Sequence, residues 1–82
     1  MLLKYIIIEK NDIPIIFPLE IFHSDVSVNV GTVKSAGFCI LNLKCNEIYV
    51  KCFGESTSLK IKSNADFDEK AIKRSFFPKY EL

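Results

Sequence analysis

The chain predicts an α+β fold: a mostly antiparallel sheet of about five strands, one C-terminal helix packed on one face, and a short helical turn near residues 18–25. Three observations carry this. Thr32 to Gly54 (TVKSAGFCILNLKCNEIYVKCFG) reads as two long alternating strands joined by a tight turn. Leu2 to Glu9 (LLKYIIIE) is a nearly unbroken apolar run rich in β-branched residues, as in a strand buried on both faces. Ser63-Asn64-Ala65-Asp66 precedes an amphipathic stretch with the start signals of a helix.

In chain order, Leu2 to Glu9 is the central strand. Lys10-Asn11-Asp12 supplies turn chemistry, and Ile13 to Phe17 returns as a second strand. Pro14 has no N–H for a ladder, so this strand belongs at an edge. From Pro18 to Gly31 the period is lost; Pro18 suits a helix start, Leu19, Phe22 and Val26 form a small stripe, and one helical turn with a loop is expected.

In the hairpin, Cys39, Leu41, Leu43 and Cys45 share one side of the first strand, and Ile48, Val50 and Cys52 share one side of the second. A two-residue loop at Asn46-Glu47 or at Cys45-Asn46 puts both sets on one face, so two registers are open, and one of them sets Cys39 opposite Cys52. After the polar Gly54 to Ser58 connection, Leu59 to Lys62 alternates as a fifth strand. Asp66 as cap with Glu69 three residues later forms an Asp variant of the capping box. It opens a helix from about Phe67 to about Phe77, with Phe67, Ala71, Ile72 and Phe76 inward and Pro78 as the stop.

Eighty-two residues make one domain with a small core, in which extra burial by self-association matters. The opposite face of the hairpin carries Phe38, Ile40 and Phe53, too apolar to stay wet, and the tail from Phe76 to Leu82 adds further apolar side chains. Either the Pro18 to Gly31 segment or a second copy covers that face; a homo-oligomer through Phe38, Ile40 and Phe53 is the expectation. The net charge of +1 speaks against nucleic-acid binding, although six of eleven basic residues follow Leu59. No apolar run has membrane-spanning length, and the N-terminus lacks a basic leader and cleavage site, which points to the cytoplasm. The three cysteines, Cys39, Cys45 and Cys52, lie too far apart for a metal site and read as buried reduced thiols; no cofactor is expected.

The only histidine stands in His23-Ser24-Asp25. With Ser35 or Cys39 it completes the inventory of a nucleophile, base and orienting acid, but a triad is a geometry, and nothing fixes a nucleophile on a rigid turn. Two readings remain: Ser24 or Asp25 bonds local backbone with His23 at the surface or capping a neighbour, or His23, Ser24, Ser35, Ser56 and Ser58 surround a ligand.

The succession Phe17-Pro18, His23-Ser24-Asp25, Val33-Lys34-Ser35-Ala36-Gly37-Phe38-Cys39 and Cys52-Phe53-Gly54-Glu55-Ser56-Thr57-Ser58-Leu59, followed by an acid-capped helix, resembles a group of small uncharacterised proteins of bacterial prophages and mobile elements. The resemblance implies a non-enzymatic phage-type accessory protein that binds or sequesters a host protein or a small anionic ligand, countering a host defence system in the host cytoplasm. The alternative is a structural or assembly protein of a phage or mobile element, without a ligand pocket.

Overall fold

Two hydrophobic layers need a strand that is apolar on both sides, and the first strand supplies it. In the computed structural model, which describes residues 1–77, Leu2–Ile8 forms β1. Tyr5 and Ile7 point to one core, and Ile6 points to a second on the other face. Ile13–Phe17 is β2, Val33–Lys44 is β3 and Glu47–Phe53 is β4, all antiparallel in the order β2-β1-β3-β4. β1 is thus interior, and β2 is an edge. Leu41 N–H bonds the carbonyl of Met1, so odd-numbered β1 residues turn their backbone groups to β3 and even-numbered ones to β2. Pro14, opposite Ile7, then falls where its missing N–H would have faced away from the ladder.

The main hairpin adopts the second of the two open registers. Lys44 pairs with Glu47, Leu41 with Val50 and Cys39 with Cys52, leaving Cys45-Asn46 as the loop. Both loop residues have positive φ, 52° and 65°, the mirror-image turn whose twist matches paired strands. Cys45 therefore sits exposed at the hairpin tip, which corrects its placement on the buried face; the turn takes it out of the strand before the alternation reaches it. Cys39 and Cys52 are buried free thiols on the helix face, and burial pushes them up to about 11 and about 12 respectively, with the neighbouring thiol, Asp68 and Glu69 adding to the rise at Cys52.

The sheet has four strands. The segment read as a fifth strand, Leu59 to Lys62, contributes only Ile61–Lys62 (β6), which pairs with Glu55–Ser56 (β5) as a separate two-residue ribbon. Lys60 takes a left-handed conformation with φ of 59°, which breaks the alternation that the side-chain pattern suggested. The ribbon packs against β3, and Ser63 N–H bonds the carbonyl of Gly54.

The long helix, α2, spans Ala65–Phe76, against the expected Phe67 to Phe77. Its cap is Asn64, not Asp66, and the carboxylate that reaches back to the cap N–H belongs to Asp68, at 2.8 Å. Glu69, expected to close a capping box, instead accepts the backbone N–H of Cys52 at 2.9 Å, covering part of the outer edge of β4. Ala71 and Ile72 are buried and Phe67 packs on the core, but Phe76 is exposed and Phe77 packs in its place. The expected stop at Pro78 and the tail to Leu82 lie outside the described residues.

On the face away from α2, a second layer covers Ile6, Phe17 and Ala36. It consists of His23–Ser27 (α1), with Val26 and Val30, together with Leu59 and Ile61 of the ribbon region. The Pro18 to Gly31 segment thus covers much of this face itself. Leu19 and Phe22, assigned to its inward stripe, are exposed. No helix among the described residues is long and apolar enough to cross a membrane.

Candidate functional site

His23 is the pivot of the second layer. As the first residue of α1 it is only 4% exposed, with its ring edge-on between Phe17 (centroids 5.5 Å apart) and Phe38 (6.0 Å). Its Nε2 lies 2.9 Å from the carbonyl oxygen of Gly37. A carbonyl only accepts, so Nε2 carries the proton and Nδ1 is the bare nitrogen of a neutral ring. Burial lowers the pKa of His23, and the charge of Lys4 lowers it further, outweighing the upward pull of the Gly37 carbonyl. The placement of His23 at the domain surface is corrected: an imidazole is apolar enough to pack between two phenyl rings once one nitrogen has a backbone partner.

This has a measurable consequence. The unfolded chain takes up a proton near the ordinary histidine value of about 6.5, whereas folded His23 resists protonation to lower pH. Its contribution is therefore fully present above about 6.5 and is lost as pH falls from there through the folded value. The urea midpoint should drop between pH 7.5 and 5.5, and less in His23→Gln. A wild-type profile as flat as that of the variant would contradict this account.

Beside His23 lies an open cleft of about 330 Å³ lined by Lys4, Phe22, His23, Phe38, Glu55, Thr57 and Ser58. Two chain segments distant in sequence meet here: Ser24 N–H donates to Ser58 Oγ at 3.3 Å, fastening α1 to the loop after β5. Lys4 reaches across from β1, donates to the Ile21 carbonyl at 2.9 Å, and holds its ammonium 5.5 Å from the Phe22 ring centroid. Phe22 itself is 64% exposed at the mouth.

Of the residues assigned to a ligand site from sequence, His23, Ser24 and Ser58 come together. Ser56 lies beneath them, fully buried, where its Oγ accepts the N–H of Leu59 at 3.1 Å and shapes the turn. Ser35 does not belong. It alternates with Ala36 to the helix face of β3, where its Oγ donates to Asp68 at 2.6 Å, with the sheet between it and His23. Lys4, Phe22, Glu55 and Thr57 went unassigned. Lys4 carried the one available signal, a cation inside an apolar strand.

The helix face holds its own polar group. Fully buried Asp68 accepts hydrogen bonds from the Tyr5 hydroxyl, Ser35 Oγ and Asn64 N–H. Burial, then the hydrogen bond and charge of Asp68, push the Tyr5 hydroxyl far above its ordinary pKa, so it stays a donor. Every member has a partner, and the group pins α2 to β1 and β3. The inventory drawn from His23, Asp25 and Ser35 or Cys39 is split: His23 and Asp25 belong to α1 on one side of the sheet, whereas Ser35 and Cys39 face α2 on the other.

The expected contact residues Phe38, Ile40 and Phe53 do form one patch. Phe38 and Phe53 are cross-strand partners with rings stacked 5.9 Å apart, and Ile40 follows on the same face. Phe53 is 39% exposed, and Leu2, opposite Ile40, is 44% exposed. No family model matches the chain, and neither a curated protein nor a solved structure matches it.

Proposed function

We propose that the protein is a non-enzymatic binding protein of phage type, which holds a small anionic ligand in the cleft between α1 and the loop after β5, countering a host defence system by sequestration. The observation that carries this reading is the cleft itself, which joins the rings of Phe22 and Phe38 to a few polar groups, Lys4, His23, Glu55, Thr57 and Ser58, the usual composition of a ligand site. Lys4 supplies the positive charge for an anion. Non-enzymatic action is favoured because Nε2 of His23 is committed to a backbone carbonyl and its ring is wedged between two phenyl groups, an arrangement suited to holding a ligand and ill suited to shuttling protons. The phage setting, and a cytoplasmic location with it, rests on the resemblance in the sequence.

A second reading has its own support. Leu2, Ile40, Phe38 and Phe53 leave an apolar strip beside the second layer, which suits a second copy of the chain, a host protein, or a neighbour in a phage assembly. Native mass spectrometry after incubation with the small-molecule fraction of a cell lysate separates the two. A retained small-molecule adduct on wild type, lost in Phe22→Ala, is the expected result. Absence of any adduct would end the small-ligand reading, and a monomer mass alone at about tens of micromolar, where weak interfaces dissociate, would end the homo-oligomer.

A further inference from the structure

The chemistry of the cleft narrows its ligand, on the reading that the cleft is a small-molecule site. Nδ1 of His23 has no hydrogen-bond partner among the described residues, yet it is not a sealed, unsatisfied atom. The ring borders the cleft. The ring is held in place by its burial and by the Gly37 bond, which sets the tautomer and leaves Nδ1 as the acceptor that His23 can offer to the cleft it lines. Glu55 adds a carboxylate, which only accepts when ionised, while the Thr57 and Ser58 hydroxyls can accept or donate, Ser58 Oγ already accepting from Ser24 N–H. The two groups that only accept, Nδ1 of His23 and the Glu55 carboxylate, call for a ligand that brings N–H donors.

The walls call for flatness. Phe22 stands exposed at the mouth and Phe38 forms part of the floor, and aromatic side chains hold planar ligands by stacking, worth about 1–3 kcal/mol for a base by alanine substitution. Lys4 is the cation among the lining groups, and its ammonium, already near the Phe22 ring, suits an anionic substituent placed beside a stacked ring. At about 330 Å³ the cleft lies near the lower end of the range for ligand sites, about 300–1,000 Å³. That fits one ring system with one charged appendage better than a polymer segment.

We propose that the cleft takes a planar, amino-bearing heteroaromatic ring with an anionic substituent, the chemistry of a nucleoside monophosphate, its ring against Phe22 and Phe38, an N–H on Nδ1 of His23 and its anion at Lys4. The test is a titration of the ¹⁵N-labelled protein with adenosine 5′-monophosphate, with purine riboside 5′-monophosphate (which lacks the amino group) and with ribose 5-phosphate. Backbone shifts around the cleft and the ¹⁵N shift of Nδ1 of His23 are followed in each. The amino-bearing nucleotide should bind tightest and move the Nδ1 signal. The form without the amino group should bind about tenfold more weakly, the worth of one hydrogen bond, and ribose 5-phosphate weaker still. Phe22→Ala, an exposed position whose loss leaves the core intact, should erase the preference for the ring.

Ribose 5-phosphate binding as tightly as the nucleotide would overturn the ring assignment and leave an anion site standing. Equal affinity with and without the amino group would remove the role given to Nδ1 and overturn the proposal. If none of the three probes perturbs the cleft, the proposal fails, while the broader small-ligand reading is decided separately by the adduct measurement on the lysate fraction.

Discussion

Asp68→Ala should be the most damaging single substitution in the chain. It removes the acceptor for three donors at once, leaving the Tyr5 hydroxyl, the Ser35 hydroxyl and the Asn64 N–H beneath α2 without a partner. Removing one side of a buried polar group of this kind costs about 3–5 kcal/mol. Against a total of about 5–15 kcal/mol for an ordinary domain, the loss takes much of the stability of a chain this short. Asp68→Asn keeps the shape and one oxygen; with that oxygen placed where the Tyr5 hydroxyl and the Asn64 N–H both donate, only the Ser35 hydroxyl has to turn and accept from the amide, so the cost should fall to about 1–3 kcal/mol. Tyr5→Phe, which deletes one donor and leaves Asp68 two others, should cost about 1 kcal/mol. Urea unfolding of the three variants checks the order; a loss for Asp68→Ala no larger than for Tyr5→Phe would show that the network does not act as a unit.

Gly37→Ala should rank next, for steric reasons. A Cβ at position 37 would stand 2.5 Å from the carbonyl oxygen of Phe53 and 3.3 Å from Cβ of Ser63. The first obstacle is backbone, held in the β3–β4 ladder, and has little room to retreat. The chain crosses tightly here because Gly54 and Ser63 are tied by a hydrogen bond directly over Gly37. Overpacking of this kind costs about 1–3 kcal/mol. Because the Gly37 carbonyl also holds His23, the substitution should shift the His23 ring resonances, a readout that a remote destabilisation would not move. Gly31→Ala is the contrast: nothing lies within 4 Å of its Cβ, and only the positive φ of 105° resists the change. A loss at Gly37 no greater than at Gly31 would contradict the close crossing.

Sheet architecture was legible wherever alternation and turn chemistry agree. The apolar run at β1 and the proline of β2 each have one comfortable placement, and the matched faces of the hairpin leave two registers, of which the structure uses one. Legibility failed where the decisive contact is distant in sequence. Leu59 to Lys62 alternates as a strand does, but the left-handed Lys60 and the pull of Gly54 on Ser63 make it a ribbon. The helix cap was assigned by local spacing, whereas Asp68 and Glu69 are engaged by β1, β3 and β4. The clue to Asp68 was its place at i, i+3, i+4 with Ala71 and Ile72, an acid on an inward stripe. For the site, the meeting of the His23 and Ser58 segments matched the sequence reading. Ser35 was misassigned because faces follow parity within a strand, and Ser35 and Phe38 differ in it.

The bond between Tyr5 and Asp68 joins residues 63 positions apart, almost the two ends of the described chain. β1 is the interior strand, and of its two cores the one that holds Tyr5 and Ile7 is incomplete until α2 is in place. A nascent chain that stops short of Asp68 has an apolar strand ready to pair and a tyrosine hydroxyl with no acceptor. The protein's strand pairings join distant parts of the chain, which slows folding relative to a helical bundle, and until they form β1 is the segment most exposed to wrong partners.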